Sequence, residues 1–214
     1  MLAAGVDWVT ISALATAGGT LVLAIATFDA TRSANRSART AERTLAAGIR
    51  PLLVSSREQD ASQKIGFGDQ HFARVDGAHG TAEVGEGAIY LTMSLRNLGA
   101  GVAVLHGWRL TEPVESAMVQ RPDPSTFRRL TRDIYVPAGD VGFWQGALRD
   151  PADPSFSDLA RAIEERRRIV IDLLYGDVEG GQRVISRFSL LPAGDDAWLA
   201  SVARHWNLDH PDPR

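Results

Sequence analysis

The sequence predicts a mainly β chain. A long N-terminal α-helix crosses a membrane and continues as a stalk, and an antiparallel β-sandwich with one short inserted helix follows it. Three observations predict this. Residues Trp8 to Phe28 carry no charge, Pro51 interrupts the helical pattern, and short alternating runs separated by Gly and Pro turns fill the remainder.

The run WVTISALATAGGTLVLAIATF holds 21 residues. At a helical rise of 1.5 Å it spans about 31 Å, close to the hydrocarbon thickness of a bilayer. Trp8, Ile11, Leu14, Leu21, Leu23, Ile25 and Phe28 supply its lipid-facing bulk, with aromatic residues at both ends. Thr10, Ser12, Thr16 and Thr20 interrupt it, but hydroxyls can bond back to the preceding turn. A cleaved signal peptide and a buried soluble helix compete with this reading. Ala24-Ile25-Ala26 resembles a cleavage site, yet residues 1–7 contain no Lys or Arg.

Arg32, Arg36, Arg39, Arg43 and Arg50 follow i, i+4, i+7, i+11, i+18 spacing, one face of a continuing helix. Ala34, Ala38, Ala41 and Leu45 occupy the opposite face. The basic residues all lie on the C-terminal side of the apolar run, which predicts an external N-terminus and a cytoplasmic C-terminal domain. Arg32, Arg36 and Arg39 are placed to meet anionic lipid headgroups. Pro51 disfavours helix at Arg50, so the helix should end there. Ala13/Ala17 and Ala15/Gly19 are small-xxx-small pairs that let helices approach closely.

Residues 51–206 read as the sandwich and 207–214 as a C-terminal tail. Strands are expected at 52–56, 71–75, 88–96, 102–110, 133–136, 141–148, 169–175 and 184–191. Ala197–Trp206 fits strand or helix and is read as strand. Asn97-Leu98-Gly99-Ala100-Gly101 and Pro137-Ala138-Gly139 are turns. Val102, Val104, His106 and Trp108 should share one strand face. Ser155 with Asp158 resembles a capping box ahead of the apolar stripe Phe156, Leu159, Ile163. Residues 57–70, 77–87 and 112–130 read as loops.

Charge divides unevenly. Residues 1–50 hold five Arg against Asp7, Asp29 and Glu42, a net +2, so of the overall −3 the remainder carries −5. An acidic domain is a poor match for nucleic acid. There is no cysteine, which excludes disulfides, thiol nucleophiles and Cys-based zinc sites.

The segment LRNLGAGVAVLHGW resembles the N-x-G-x-G-x-A strand–turn–strand element of uncharacterised single-pass bacterial membrane proteins with an immunoglobulin-like sandwich. LLYGDVEGGQRVISRFSL resembles their Y-x-D-x-x-G hairpin, matched by Tyr175, Asp177 and Gly180. The resemblance implies an anchored immunoglobulin-like domain and carries no catalytic residues.

The search for chemistry returns little. His71, His79, His106, His205 and His210 lack metal-site spacing, and there is no G-x-S-x-G or S-x-x-K. No catalytic, cofactor-binding or metal-binding residues are expected, and no cofactor. Arg128, Arg129 and Arg132 form a small basic cluster read as a solvated loop. Trp108 and Trp144 should be core, and Trp206 exposed. The expected partners are the bilayer and an unidentified protein, in a membrane-tethered, non-enzymatic interaction module. A structural or signalling subunit dimerising through the helix is the alternative, and a hydrolase assembled from distant loops is a third.

Overall fold

The structure is a computed structural model that describes residues 8–114, 118–194 and 196–211. The chain divides into two compact units, Met1–Ala47 and Gly48–Arg214. The side chains of Thr10 and Arg43, the carboxylate of Asp195 and residues 212–214 of the expected tail lie outside the described residues.

Helix α1 runs unbroken from Trp8 to Gly48, 41 residues and about 61 Å at the α-helical rise. The chain leaves the helix at Gly48, two residues before Arg50, consistent with the pre-proline restriction there. Its hydroxyls bond back to the preceding turn, as Thr16 to the Ser12 carbonyl and Thr20 to the Thr16 carbonyl, both at 2.9 Å. These hydroxyl donors are thereby satisfied within the helix itself.

The second unit is built from β1 (Leu53–Ser55), β2 (Gln63–Gly66), β3 (Phe72–Val75), β4 (His79–Val84), β5 (Ile89–Asn97) and β6 (Ala103–Thr111). It continues with β7 (Arg128–Val136), β8 (Val141–Leu148), helix α2 (Phe156–Glu164), β9 (Ile169–Gly176), β10 (Val184–Ala193) and β11 (Ala197–Asn207). All strand pairings are antiparallel. In one layer β5 pairs with β8 from Ile89 to Arg96, and with β4 and then β1. The other layer runs β11-β10-β9-β6-β7. They are linked where Trp198 and Leu199 of β11 meet Gly80 and His79 of β4.

The core fills the space between these layers. Ile89, Leu91, Met93 and Leu95 of β5 alternate inward, as their period of two requires, and meet Ile171, Leu173 and Phe188. Trp108 of β6 and Trp144 of β8 stack edge to face with centroids 5.3 Å apart. Such a pair adds about 1 kcal/mol beyond area burial. Leu159 of α2 closes one side of the core.

The structure revises several expectations. Residues 57–70 and 77–87 are not simply loops, since they hold β2 and β4. A four-residue strand such as QKIG, with one apolar side chain, carries too little periodicity to be seen alone. The expected loop 112–130 ends in β7, which starts at Arg128 and places Arg128, Arg129 and Arg132 on a strand. The ladder of β6 shifts register between Leu105 and Gly107. That bulge breaks the expected face, so Ala103, Leu105 and Trp108 point inward and His106 is exposed. Ser155 makes no side-chain capping bond; its oxygen instead accepts from Arg128 at 3.3 Å. Trp206 is 5% exposed, because it lies over the Arg187 guanidinium at 4.9 Å.

Candidate functional site

Two features of the chain stand apart from ordinary core packing: the surface of α1 and the seat that receives the chain after it. A third, a buried charge pair, explains an unusual β-strand sequence.

Along α1, Ile11–Glu42 is long and apolar enough to cross a membrane, with mean hydropathy 1.8 in its best window and none of that window buried. Trp8, Leu14, Leu21, Leu23, Ile25 and Phe28 are all more than half exposed, and Ile11 is 45% exposed. At 100° per residue these side chains distribute around the helix rather than along one stripe. A helix apolar all round needs apolar surroundings. Arg32, Arg36 and Arg39 are exposed on a single face, as the unbroken helix requires of their spacing. One open groove follows the small side chains Ser12, Ala13, Thr16, Ala17, Thr20 and Ala24. The Ala13/Ala17 pair lines it.

The seat holds residues 49–53. Asn97, at the end of β5, is fully buried and uses its whole amide. Its oxygen accepts from Leu52 N at 3.0 Å and Gly99 N at 2.9 Å. Its nitrogen donates to the Gly101 carbonyl at 2.7 Å and the Val136 carbonyl at 3.0 Å. The glycines follow from the same packing. A Cβ on Gly99 would strike the backbone of Arg50, Pro51 and Leu52, and one on Gly101 the backbone of Ile49. The Arg50 guanidinium bonds to the Asn207 side chain.

Tyr175 completes the seat from below. Its hydroxyl accepts from Leu53 N at 3.1 Å and lies 2.7 Å from Ser186 Oγ. Burial pushes the phenol up to about 12, so it stays protonated. Ser186 Oγ in turn sits 2.6 Å from His205 Nδ1. A serine so close to a histidine has the composition of a nucleophile and base. Ser186 is 0% exposed, however, which leaves no room for a substrate at its oxygen. Asp177, two residues on, shapes the β9–β10 turn by accepting from Gly181 N at 2.9 Å. The residues of the two sequence motifs therefore seat the entering chain or form turns.

On the outer face of β9 and β10, Arg187 and Asp172 are 1% and 0% exposed. They pair through two bonds of 2.6 and 2.7 Å. Thr111 donates to the same carboxylate at 2.7 Å, and Arg109 approaches it at 3.7 Å. Sequence reasoning missed this pair. Its signal was a charged residue in the middle of each of two strongly apolar strands, IVIDLLYG and VISRFSLLPA.

Among the described residues, no group of three or more His, Asp or Glu side chains is arranged to hold a metal ion. Searches against protein-family models, curated proteins and solved structures return no match to this chain.

Proposed function

We propose that the chain is a membrane-tethered binding module. Its helix spans the bilayer with the N-terminus outside, and its β-domain stands in the cytoplasm to engage a protein partner. The observation that supports this is α1 itself. An exposed, uncharged half runs without interruption into a half whose Arg32, Arg36 and Arg39 share one face. The first half suits hydrocarbon, and the arginines suit the anionic cytoplasmic leaflet, at about 1 kcal/mol each. Tethering raises the concentration of the domain at the membrane, so modest affinity for a partner suffices. The layout also fits the resemblance to single-pass bacterial membrane proteins.

The chain lacks cysteine, which makes labelling simple. Val178, 61% exposed in the β9–β10 turn, is replaced by Cys in the full chain. A membrane-impermeant maleimide should label it only after the cells are permeabilised, and the protein should resist an alkaline carbonate wash. Labelling of intact cells overturns the orientation, and release by the wash overturns the anchor. Photocrosslinking in intact cells should capture a protein partner; capture of none overturns the binding role.

A second reading, dimerisation through the helix, has its own support. An uncharged seam descends from Val9 through Thr20 and Ala24 to Ala38 and Leu45 in alternating steps of four and three. One additional step of four falls between Thr20 and Ala24. In that register Arg32, Arg36 and Arg39 take the outward b and f positions of a heptad. The aqueous half of α1 is exposed wherever its side chains are described, and most of a helix's stability in a protein comes from packing of one face. A second copy would cover its alanine face. Replacing Ala38 and Ala41 by Glu should abolish crosslinked dimers without disturbing membrane insertion, and unchanged dimers reject this seam.

A further inference from the structure

The turn between β2 and β3, strand β7 and the end of β8 enclose a cleft of ≈ 500 Å³ in the second unit, a volume within the usual range for ligand sites. Phe67 and Asp69 come from the turn, Thr131 and Arg132 from β7, Gln145 from β8 and Arg149 from just past its end. These are three separate parts of the chain converging on one hollow. Gly66 and Gly68 complete its wall.

The polar groups here are unevenly satisfied. Asp69 is fully occupied. It accepts from Tyr90 Oη at 2.8 Å, Arg149 Nε at 2.9 Å and His71 N at 3.4 Å. Burial pushes its carboxyl up, but Tyr90, Arg149 and the His71 amide outweigh burial and hold it down at about 2. Arg149 is thus fixed through Nε, while its two terminal nitrogens make no hydrogen bond among the described residues. Arg132 gives one bond, to the Gly66 carbonyl at 3.2 Å, and is backed by the Phe143 ring at 5.4 Å. It forms no ion pair within 4 Å among the described residues. Gln145 is 6% exposed, and its side-chain oxygen has no partner.

We propose that this cleft binds a carboxylate, as in an aspartate or glutamate residue of an acidic peptide segment. Two guanidinium groups with free, forked donors match the planar geometry of a carboxylate. The formal charge decides between anions. Two arginines against Asp69 leave +1 in the lining, which one carboxylate neutralises and a phosphate dianion overshoots beside Asp69. The inference rests on reading the domain as a binding module, and it names the chemistry of the partner at one point.

The test uses the full chain in detergent micelles, with ligand-observed saturation-transfer NMR. The probes are acetyl-Gly-Asp-Gly-amide, its Asn counterpart and inorganic phosphate. The Asp peptide should bind saturably, and Arg132→Gln should weaken it at least about tenfold. Arg132 is exposed, so the variant should keep the wild-type unfolding temperature to within a few degrees. Three outcomes overturn the proposal: no saturable binding, equal binding of the Asn peptide, or displacement by phosphate at lower concentration than the Asp peptide. Crosslinking of Arg132→Gln in cells separates the two levels. If the partner is captured undiminished while the peptide fails to bind in vitro, the cleft proposal falls and the module reading stands.

Discussion

Leu53 donates its backbone N–H to the Tyr175 hydroxyl at 3.1 Å, across 122 residues of sequence. Leu53 opens the first strand of the domain, and Tyr175 stands in the middle of its layer, between β10 and β6. The bond therefore ties the start of the fold to its centre. Both groups are buried, so water cannot replace either partner.

Tyr175→Phe should consequently destabilise the domain by about 1–3 kcal/mol, the cost of leaving a buried N–H without an acceptor. The aromatic packing is unchanged, so the loss reports the hydroxyl alone. Thermal or urea unfolding of the variant measures it, and wild-type stability would show that Leu53 N finds another partner.

Gly101→Ala should cost more, above about 3 kcal/mol. The new Cβ meets the backbone of Ile49, which is not the far end of a flexible side chain and cannot swing away. Gly181→Ala provides the contrast, since nothing lies within 4 Å of its Cβ position. It should unfold within about 1 kcal/mol of wild type.

The Arg187–Asp172 pair should behave non-additively. Arg187→Met or Asp172→Leu alone leaves a buried group without its counterpart and should cost about 3–5 kcal/mol. Arg187→Met combined with Asp172→Leu should cost much less than the sum of the single changes. A double-mutant cycle by chemical unfolding gives the coupling, and additive losses would mean that the two side chains act independently.

Acid should weaken the fold over a defined window. The Arg128 guanidinium, joined by the Ser155 amide, holds Asp153 at about 2 against 3.8 for a free carboxyl. Its stabilising contribution is complete above the unfolded value, near pH 4, and is lost as pH falls through about 2. Asp69 contributes in the same window. Asp153→Asn should be less stable than wild type at pH 7, and the gap should narrow between pH 4 and 2. A gap that stays constant over that range would exclude the ion pair as its source.

Much of the architecture was legible. The uncharged run, the arginine spacing and Pro51 defined α1, the strands β5 and β10 declared themselves by period, β9 by its apolar run and β8 by the turn before it. The short strands β2 and β4 did not, because their stability comes from what they lie against rather than from their own pattern. The β6 bulge was hidden for a related reason. A single extra residue inverts the face of everything after it, and His106 looks like its neighbours in sequence. Trp206 was misplaced because its cover is a guanidinium 19 residues away, Arg187. The seat was half legible. Asn97, Gly99 and Gly101 announced a turn, but only the fold shows that the turn is built around residues 49–52. The cleft was not legible at all, since Asp69, Arg132 and Gln145 lie on a turn and on two strands that do not pair with one another, and meet only through packing.

The seat also constrains the order of biosynthesis. Segment 49–53 emerges from the ribosome early, yet its partners Tyr175 and Asn207 belong to strands made last. Until β9 and β11 are translated, the nascent chain can hold these residues only through Asn97 and the β1–β5 pairing. Helix α1, by contrast, precedes every strand of the domain and needs none of them for its own backbone bonds. The seat therefore closes only after most of the domain has been made, over the domain's own starting point.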